Sequence, residues 1–523
     1  MTTEGNVIDA DVLVVGGGPA GAWAAWSAAT HGARVVLVDK GYLGSSGATA
    51  PGGTNLLYLP PDAELRAKAV AKRMAGGGEL SEPRWIHRVL DGVYESLKLV
   101  EEWGYPFVRD ENGQPLRNHL QGPEYMRLMR RVVRRAGVTV LDQSPALELL
   151  ADRDGVGGAR GIDRLTGADW EVRAPAVILA TGGCAFLSKG LGCNVLTGDG
   201  LLMAAESGAE LSGMEFSRSY GTSAQYSTVT RNRLLSMATV TAADGRVIYA
   251  GDGVLPRDAI ARALLDGPVH AVLDRADTPE KRALLRTSHA VFFLPYDRRG
   301  IDPFTQRFPL TLRFEGTMRG TGGIRLTGDG CETSVPGLYA AGDAASRERS
   351  HGGQSGGGAY NASWAICSGR WAGAAAAPYA ARAGASSRAR RLAPVGGAGV
   401  RPASSATVDT ASVVAAVQRE TLPLDVSYFR SAARLRRALA NTEALWPAVV
   451  GRPEPGVRGR VRAREAAAMV ATARWMHIAS LARTETRGMH SLAEHPHPDP
   501  RQRHRLVLAG VDRVTVRPEE VPA

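Results

Sequence analysis

The sequence predicts an α/β fold that opens on a nucleotide-binding strand, turn and helix, and three observations predict it. Residues 11–15 form an apolar run, followed at once by Gly16-Gly17-Gly18-Pro19-Ala20-Gly21 and an Ala- and Trp-rich helical segment to Thr30. A second apolar run, residues 34–38, ends in Asp39, close to the spacing at which a carboxylate meets a ribose hydroxyl. Strand-like runs at 138–141, 146–150 and 177–180 then fit a parallel sheet completed from distant parts of the chain. A bare G-x-G-x-x-G is weak by itself, and a glycine-rich turn in some other α/β protein is the alternative. Here Gly16 can make the tight turn, Gly18 lets backbone approach a pyrophosphate, and Gly21 allows helix and strand to pack closely, with the helix amides and dipole facing the phosphates.

The remaining elements follow in order. Ser81 can cap a helix with Pro83 in its first turn, and Ile86, Val89, Leu90, Val93, Leu97 and Val100 recur at helical spacing until Gly104. A second helix carries Met126, Met129, Val132 and Val133. Residues 222–322 interrupt the nucleotide-binding pattern, which resumes at Gly337, so this block reads as a domain inserted into the first. Residues 383–407, rich in Ala, Gly, Ser, Arg and Pro, lack periodicity and read as a linker. Helical patterns return at 413–417, 428–445 and 462–481, the last with Ala466, Val470, Ala473, Met476 and Leu481 apolar. The expected division is 1–221, 222–322, 323–382, a linker 383–407 and a final unit 408–523.

Composition bounds the function. The chain has 523 residues, 44% of them hydrophobic, enough for about two or three domains with their own cores. No run of ~18 apolar residues indicates a membrane span. Residues 1–10 hold acids and no basic, apolar leader, so the reading is cytoplasmic. Four cysteines, Cys184, Cys193, Cys331 and Cys367, are too few and scattered for a disulfide framework, an iron–sulfur cluster or haem. Cys184 and Cys193 lie near one another in sequence, where ordinary thiols are favoured over a redox pair. The formal charge of +11 suits an anionic ligand or acidic partner. Much of it is clustered arginine read as solvated: Arg130, Arg131, Arg134 and Arg135 on one helix, Arg388, Arg390 and Arg391 in the linker, and the 458–464 run. No aromatic interleaving or groove-reading motif supports nucleic-acid binding. His490, His495, His497 and His504 are separated by Pro496 and Pro498 with no helical i, i+4 pair, so no metal is expected.

Which dinucleotide binds is decided by a second glycine-rich segment, Gly44-Ser45-Ser46-Gly47-Ala48-Thr49-Ala50-Pro51-Gly52-Gly53-Thr54-Asn55, and by a strand from Leu338 that ends in Gly342-Asp343. Between and beyond them stand Ala180-Thr181-Gly182-Gly183, Thr197-Gly198-Asp199-Gly200, Met214-Glu215-Phe216, Arg257-Asp258 with Arg262-Ala263, Gly322-Gly323-Ile324, and Arg483-Thr484-Glu485-Thr486-Arg487-Gly488-Met489-His490. In this order the segments resemble the FAD-dependent family of succinate dehydrogenase and fumarate reductase flavoproteins, L-aspartate oxidase and the adenylylsulfate reductase flavoprotein. The resemblance implies a Rossmann-like, glutathione-reductase-like FAD-binding domain, an inserted α+β capping domain that closes over the flavin, and a C-terminal helical domain. It implies that FAD is held by Gly16, Gly18, Pro19, Ala20, Gly21, Asp39, Lys40, Ser45, Ser46, Thr49, Gly52, Gly53, Ala146, Thr181, Gly182, Asp199, Gly342, Asp343, Asn361 and Ala362. Where succinate dehydrogenase-like members carry FAD on a histidine, this chain has Ser46, so non-covalent attachment is expected. The segment Gly356-Gly357-Gly358-Ala359-Tyr360-Asn361-Ala362-Ser363 opens a helix whose amides would face the pyrimidine end of the ring.

For catalysis, Arg257 falls where the family has an arginine proton shuttle, a role that arginine performs only when neighbours lower its proton affinity; a structural ion pair with Asp258 or a helix-end residue is the alternative. The departures matter as much. Tyr220 stands where dicarboxylate enzymes have a substrate-binding histidine, Met318 replaces another histidine, Thr321 replaces the methionine before Gly322-Gly323, and no arginine lies between His351 and Arg370 to grip a carboxylate. Succinate and fumarate are therefore disfavoured. Tyr220, Met318, Arg319, His351 and Tyr226 remain for the cleft, with Tyr220 a proton donor or an aromatic wall and His351 a flavin contact, an acid/base or a structural histidine. The function expected is two-electron oxidation or reduction of a small organic substrate between the FAD and capping domains. The alternatives are a flavoprotein subunit working with an iron–sulfur partner, and adenylylsulfate-reductase-like sulfur chemistry.

Overall fold

The structure, a computed structural model, describes residues 6–109, 112–230, 234–251, 253–355, 357–384 and 389–522. At its centre five parallel strands run in the order Leu338–Ala340, Ala176–Leu179, Val12–Val15, Val35–Val38, Thr139–Leu141. Three of them, VLVV, VVLV and AVIL, are buried at every position, as a sheet covered on both faces requires. The helix Pro19–Thr30 and the long helix Gly357–Ala383 pack so closely that a methyl on Gly369 or Gly373 would lie 2.3 Å from the carbonyl of Ala20 or Ala24. Around them, the helices Pro83–Glu102 and Gly122–Arg135 bury aromatic side chains, and Trp23 Nε1 donates to Tyr125 Oη at 2.6 Å. Ser81 does not cap the first of these helices. Glu82 takes the cap position without a side-chain bond, and the Ser81 hydroxyl faces Met74 Sδ at 3.2 Å, because the chain entering the helix turns it inward.

The 146–150 run leaves the parallel sheet. It belongs to Ala146–Asp152, antiparallel to Gly155–Ile162 in a second, mixed sheet that also holds Asn6–Asp9, Asp169–Arg173 and Ala393–Pro394. A tight turn at Gly155 (φ +113°) folds the chain back at once, so a parallel crossover has no room to form.

A separate antiparallel sheet, in the order Tyr220–Ala224, Phe308–Phe314, His270–Val272, Thr239–Thr241, Val247–Ala250, carries the helices Arg257–Asp266, Pro279–Ser288 and Ala290–Asp297. It has its own apolar core, with Val240, Ile260, Phe292, Phe293, Tyr296 and Phe308 inside.

The segment read as a linker is anchored where it is described. Ala393–Pro394 extends the mixed sheet, Ala398 is buried, Arg390 Nε donates to Asp152 at 2.9 Å, and Arg401 pairs with Glu148 at 2.7 Å; Arg388 lies outside the described residues. The arginine clusters are likewise partly structural: Arg130 pairs with Asp142 at 2.6 Å, and Arg464, fully buried, binds Glu206 and the Ala398 carbonyl at 2.7 Å. The C-terminal part is not purely helical. After helices Thr410–Thr421, Ala432–Val449 and Gly456–Ala482 comes a hairpin, His504–Ala509 and Thr515–Glu520, that joins Leu211–Ser212 and Gly323–Ile324 in one sheet. Among the described residues no helix is long and apolar enough to cross a membrane, and no cluster of His, Cys, Asp and Glu is placed to hold a metal. The cysteines are all buried and no disulfide joins them.

Candidate functional site

The carboxyl ends of the parallel strands open into a cleft of about 1180 Å³, its mouth included. Brought to it from distant parts of the chain are Gly16, Gly18, Pro19 and Ala20; Asp39 and Lys40; Ser46, Thr49 and Gly53; Ala146; Thr181 and Gly182; Asp199; Gly342 and Asp343; and Asn361 and Ala362. Such a convergence at strand ends is where an open α/β sheet binds ligands.

The first turn is built from its glycines. Gly16 has φ +109°, and a methyl there would lie 2.4 Å from the Ala180 carbonyl oxygen, on the neighbouring strand. Gly21 does not line the cleft. It sits behind it, where a methyl would fall 1.7 Å from the Gly16 carbonyl oxygen, so the helix can start this close to its strand only with glycine. Gly18 is the opposite case: a methyl there would meet no atom within 4 Å and would project into open space. The helix Pro19–Thr30 thus turns its amino end, with its unsatisfied amides and positive dipole, to the cleft, and Pro19 in its first turn removes a donor that had no partner.

Asp39 holds this turn together. One carboxylate oxygen accepts from Gly17 N–H at 2.6 Å, the other from Gly41 N–H at 2.7 Å and Ser46 Oγ at 2.6 Å. Lys40 is tied to Asp199, to Glu465 at 2.9 Å and to Thr197 Oγ1 at 3.0 Å. Burial works against its charge, but the two carboxylates outweigh burial and hold its proton affinity above the ordinary lysine range. Gly342 (φ +65°) donates to Ser368 Oγ at 2.9 Å and accepts from Trp364 Nε1 at 2.9 Å, which pins the last strand's turn onto the long helix. Ser45 and Gly52 lie outside the lining: Ser45 Oγ turns back to the Tyr42 carbonyl at 3.5 Å, and the Gly52 carbonyl accepts from Gly122 N–H at 2.8 Å. Gly356, expected to open the long helix, is outside the described residues.

The three candidate catalytic residues are not among the residues lining the cleft. Tyr220 is buried beside Phe314 and Tyr428, and its hydroxyl donates to the Leu422 and Pro423 carbonyls at 2.9 and 3.2 Å; burial pushes its proton affinity up. His351 is also buried, with its ring 4.1 Å from that of Tyr360 and Nδ1 2.7 Å from Ser350 Oγ. Burial, then the charges of Arg347 and Arg73, hold it well below the ordinary histidine range, hence neutral. Arg257 is exposed at the amino end of its helix and forms no ion pair with Asp258, whose carboxylate accepts instead from Tyr428 Oη. Tyr226 packs under Arg299 at 4.5 Å, in the separate antiparallel unit.

Met318 and Arg319 do line the cleft. So do Pro145, Val195, Leu196, Met203 and Ala365, which sequence reasoning missed because apolar wall residues carry no chemical signature; only the adjacency of Pro145 to Ala146 pointed there. The glycine turn with an open position at Gly18, the helix amino end and the carboxylate of Asp39 fit the pyrophosphate and ribose of a dinucleotide.

A family model described as FAD binding domain matches residues 11–360. The chain is similar to a fumarate reductase (CoM/CoB) protein of Methanothermobacter marburgensis, 28% identical over 293 residues; the match covers 50% of this chain and 53% of that protein, about half of each. It is similar along nearly its whole length to L-aspartate oxidase of Mycobacterium tuberculosis, 29% identical over 532 residues and 96% of each chain. Its fold matches the E. coli quinol fumarate reductase chain FrdA, in a mutant form, with a TM-score of 0.82, 20% identity, and coverage of 99% of this chain and 97% of that one.

Proposed function

The chain belongs to the FAD-binding domain family and is an FAD-dependent oxidoreductase, and from that premise we propose that it holds FAD without a covalent bond and exchanges a hydride with a small organic substrate beside the cleft. The observation that carries this is the cleft itself, where the glycine turn, Asp39, Thr181-Gly182, Gly342-Asp343 and Asn361-Ala362 meet. Bound FAD supplies the two-electron chemistry. The amino end of Pro19–Thr30 receives the pyrophosphate, and Asp39 orients the turn while offering its carboxylate to a ribose hydroxyl. The long helix brings its first turns, at Asn361 and Ala362, to the other end of the cleft, where its dipole favours negative charge.

Non-covalent attachment is supported by the lining. Among the described residues it contains no histidine, cysteine or tyrosine that could carry a flavin, and Ser46 spends its hydroxyl on Asp39. Substrate would lie between the cleft and the unit 222–322, which acts as the cap and is supported in that role by its separate core. Arg257 stands exposed on that unit without a side-chain hydrogen bond or ion pair among the described residues, and is proposed as the proton carrier once bound coenzyme and substrate cover it, since an exposed guanidinium keeps its proton. His351 is proposed to act on the cleft through Asn361 rather than by contact, and Tyr220 to tie the antiparallel unit to the C-terminal part of the chain.

The purified protein should be yellow, and acid precipitation should leave FAD in the supernatant. A colourless protein that takes up no added FAD overturns the reading, and flavin retained in the acid pellet overturns the non-covalent part. Anaerobic reduction by a substrate should slow at least tenfold in Arg257→Ala; an unchanged rate removes Arg257 from the mechanism.

A further inference from the structure

We propose that Arg319 is the substrate's anchor and that the substrate is a monocarboxylate with an apolar body, an assignment that rests on the cleft being the flavin site. Among the described residues two cations line the cleft, Lys40 and Arg319. Lys40 is fully engaged by Asp199, Glu465 and Thr197. Arg319 is only 8% exposed, yet its side chain makes no hydrogen bond among the described residues. Its one ionic contact there is from Nε to Glu315 Oε2 at 3.4 Å, which leaves both Nη groups, the fork that grips a carboxylate in a bidentate pair, without a partner among those residues. Glu315 balances its charge, while the Nη groups, which are not sealed from solvent, stay open toward the cleft for the oxygens of an anion.

Its surroundings hold it still. Glu315, itself buried, is fixed by Thr230 Oγ1 at 2.9 Å. The turn Gly316–Arg319 is pinned from below by Arg347, which is sealed from solvent and donates to the carbonyls of Thr317 at 2.7 Å, Met318 at 3.3 Å and Gly320 while pairing with Asp343 of the cleft. Thr317 Oγ1 accepts from Cys184 N–H at 2.8 Å on the opposite side. The guanidinium is therefore presented by a preorganised turn linked to the flavin-side loop.

Beside Arg319 the wall is apolar: Met318, Leu196, Val195 and Ala48 line the cleft and pack in one cluster. Among the described residues this is one open cation against an apolar wall, which suits one carboxylate with a hydrocarbon body. Those residues offer the second carboxylate of a dicarboxylate no partner, so it would be desolvated at a cost.

The test uses holoenzyme with FAD bound and follows the perturbation of its visible absorbance by added anions. Hexanoate and crotonate should bind at least tenfold tighter than succinate or fumarate, Arg319→Gln should weaken hexanoate at least tenfold with FAD still bound, and Arg319→Lys should fall between. Equal binding of mono- and dicarboxylates, no perturbation of wild type by any monocarboxylate, or Arg319→Gln binding hexanoate like wild type overturns the proposal. So does Arg319→Gln losing FAD while Arg319→Lys keeps it with hexanoate binding unweakened, since the guanidinium would then serve the coenzyme. A wild-type protein that never holds FAD refutes the underlying site instead, and is told apart by its lack of colour before any anion is added.

Discussion

Glu348 and Glu215 repel one another through their charges, two carboxyl side chains sealed from solvent at 1% and 0% exposure. Glu215 is neutralised by Arg483, which approaches at 2.9 Å and also binds Glu485 at 2.8 Å. Burial first, and then the Glu215 carboxylate, push the Glu348 carboxyl from its ordinary 4.5 up to about 8, against the opposing charges of Arg505 and Arg483.

That shift sets a pH dependence. A carboxyl whose proton is held more tightly in the folded state stabilises the fold fully below its unfolded value, near 4.5, and loses that contribution as pH rises toward 8. The melting temperature of the wild type should therefore fall between about pH 4.5 and pH 8 and level off above that. Glu348→Gln, which keeps the shape and removes the titration, should flatten this fall and melt higher than wild type at pH 9. Parallel melting curves for the two proteins across the window would show that Glu348 is not the group responsible.

The two glycines of the first turn should fail in different ways. In Gly21→Ala the methyl meets the Gly16 carbonyl at 1.7 Å, so the strand and helix must part; the destabilisation should reach or exceed the upper end of about 1–3 kcal/mol, read by denaturant unfolding without flavin. In Gly18→Ala the methyl enters open space, so the apoprotein should unfold like wild type. FAD affinity should nevertheless fall about tenfold, roughly 1.4 kcal/mol, because the methyl takes room the coenzyme backbone contact needs. An apoprotein of Gly18→Ala as unstable as Gly21→Ala would contradict the assignment of open space.

Lys40 tests the network under the cleft. Replacing it by methionine leaves Asp199 and Glu465 facing one another without a cation, and removing one partner of a buried pair costs about 3–5 kcal/mol. Lys40→Met should lose stability of that order. The double change Lys40→Met with Asp199→Asn should recover part of it, since the uncompensated carboxylate is gone; a double variant no better than the single would mean that Glu465 is the dominant partner.

What the sequence made legible was whatever leaves a local trace. The glycine turn could be read because Gly21 is forced by the Gly16 carbonyl only five residues away, although Gly16 itself answers to Ala180 on a distant strand, and Asp39 because it ends an apolar strand. The division between the parallel sheet and the mixed sheet could not, since the 146–150 run looks the same whether its partner is parallel or antiparallel, and only the return at Gly155 decides it. The C-terminal hairpin was hidden for a similar reason: its strand 504–509 pairs with residues 211–212, some three hundred positions away, and its partner strand, 515–520, is mostly exposed and charged. In the cleft, Arg319 was visible as a residue but not as an open cation, because its isolation depends on Glu315, Thr230 and Arg347 meeting around it in three dimensions.

Tyr220 shows how burial redirects a role that residue type suggests. Its hydroxyl is taken by the Leu422 and Pro423 carbonyls, and its ring stands between Phe314 at 5.0 Å and Tyr428 at 5.4 Å, so it ties the first strand of the antiparallel unit to the C-terminal part of the chain. Tyr220→Phe keeps the ring contacts and removes one donor from two buried acceptors. It should cost about 1–3 kcal/mol in unfolding experiments while leaving the rate of anaerobic flavin reduction within twofold of wild type. A Tyr220→Phe protein of normal stability whose flavin is reduced more than tenfold slower would instead return the hydroxyl to the chemistry.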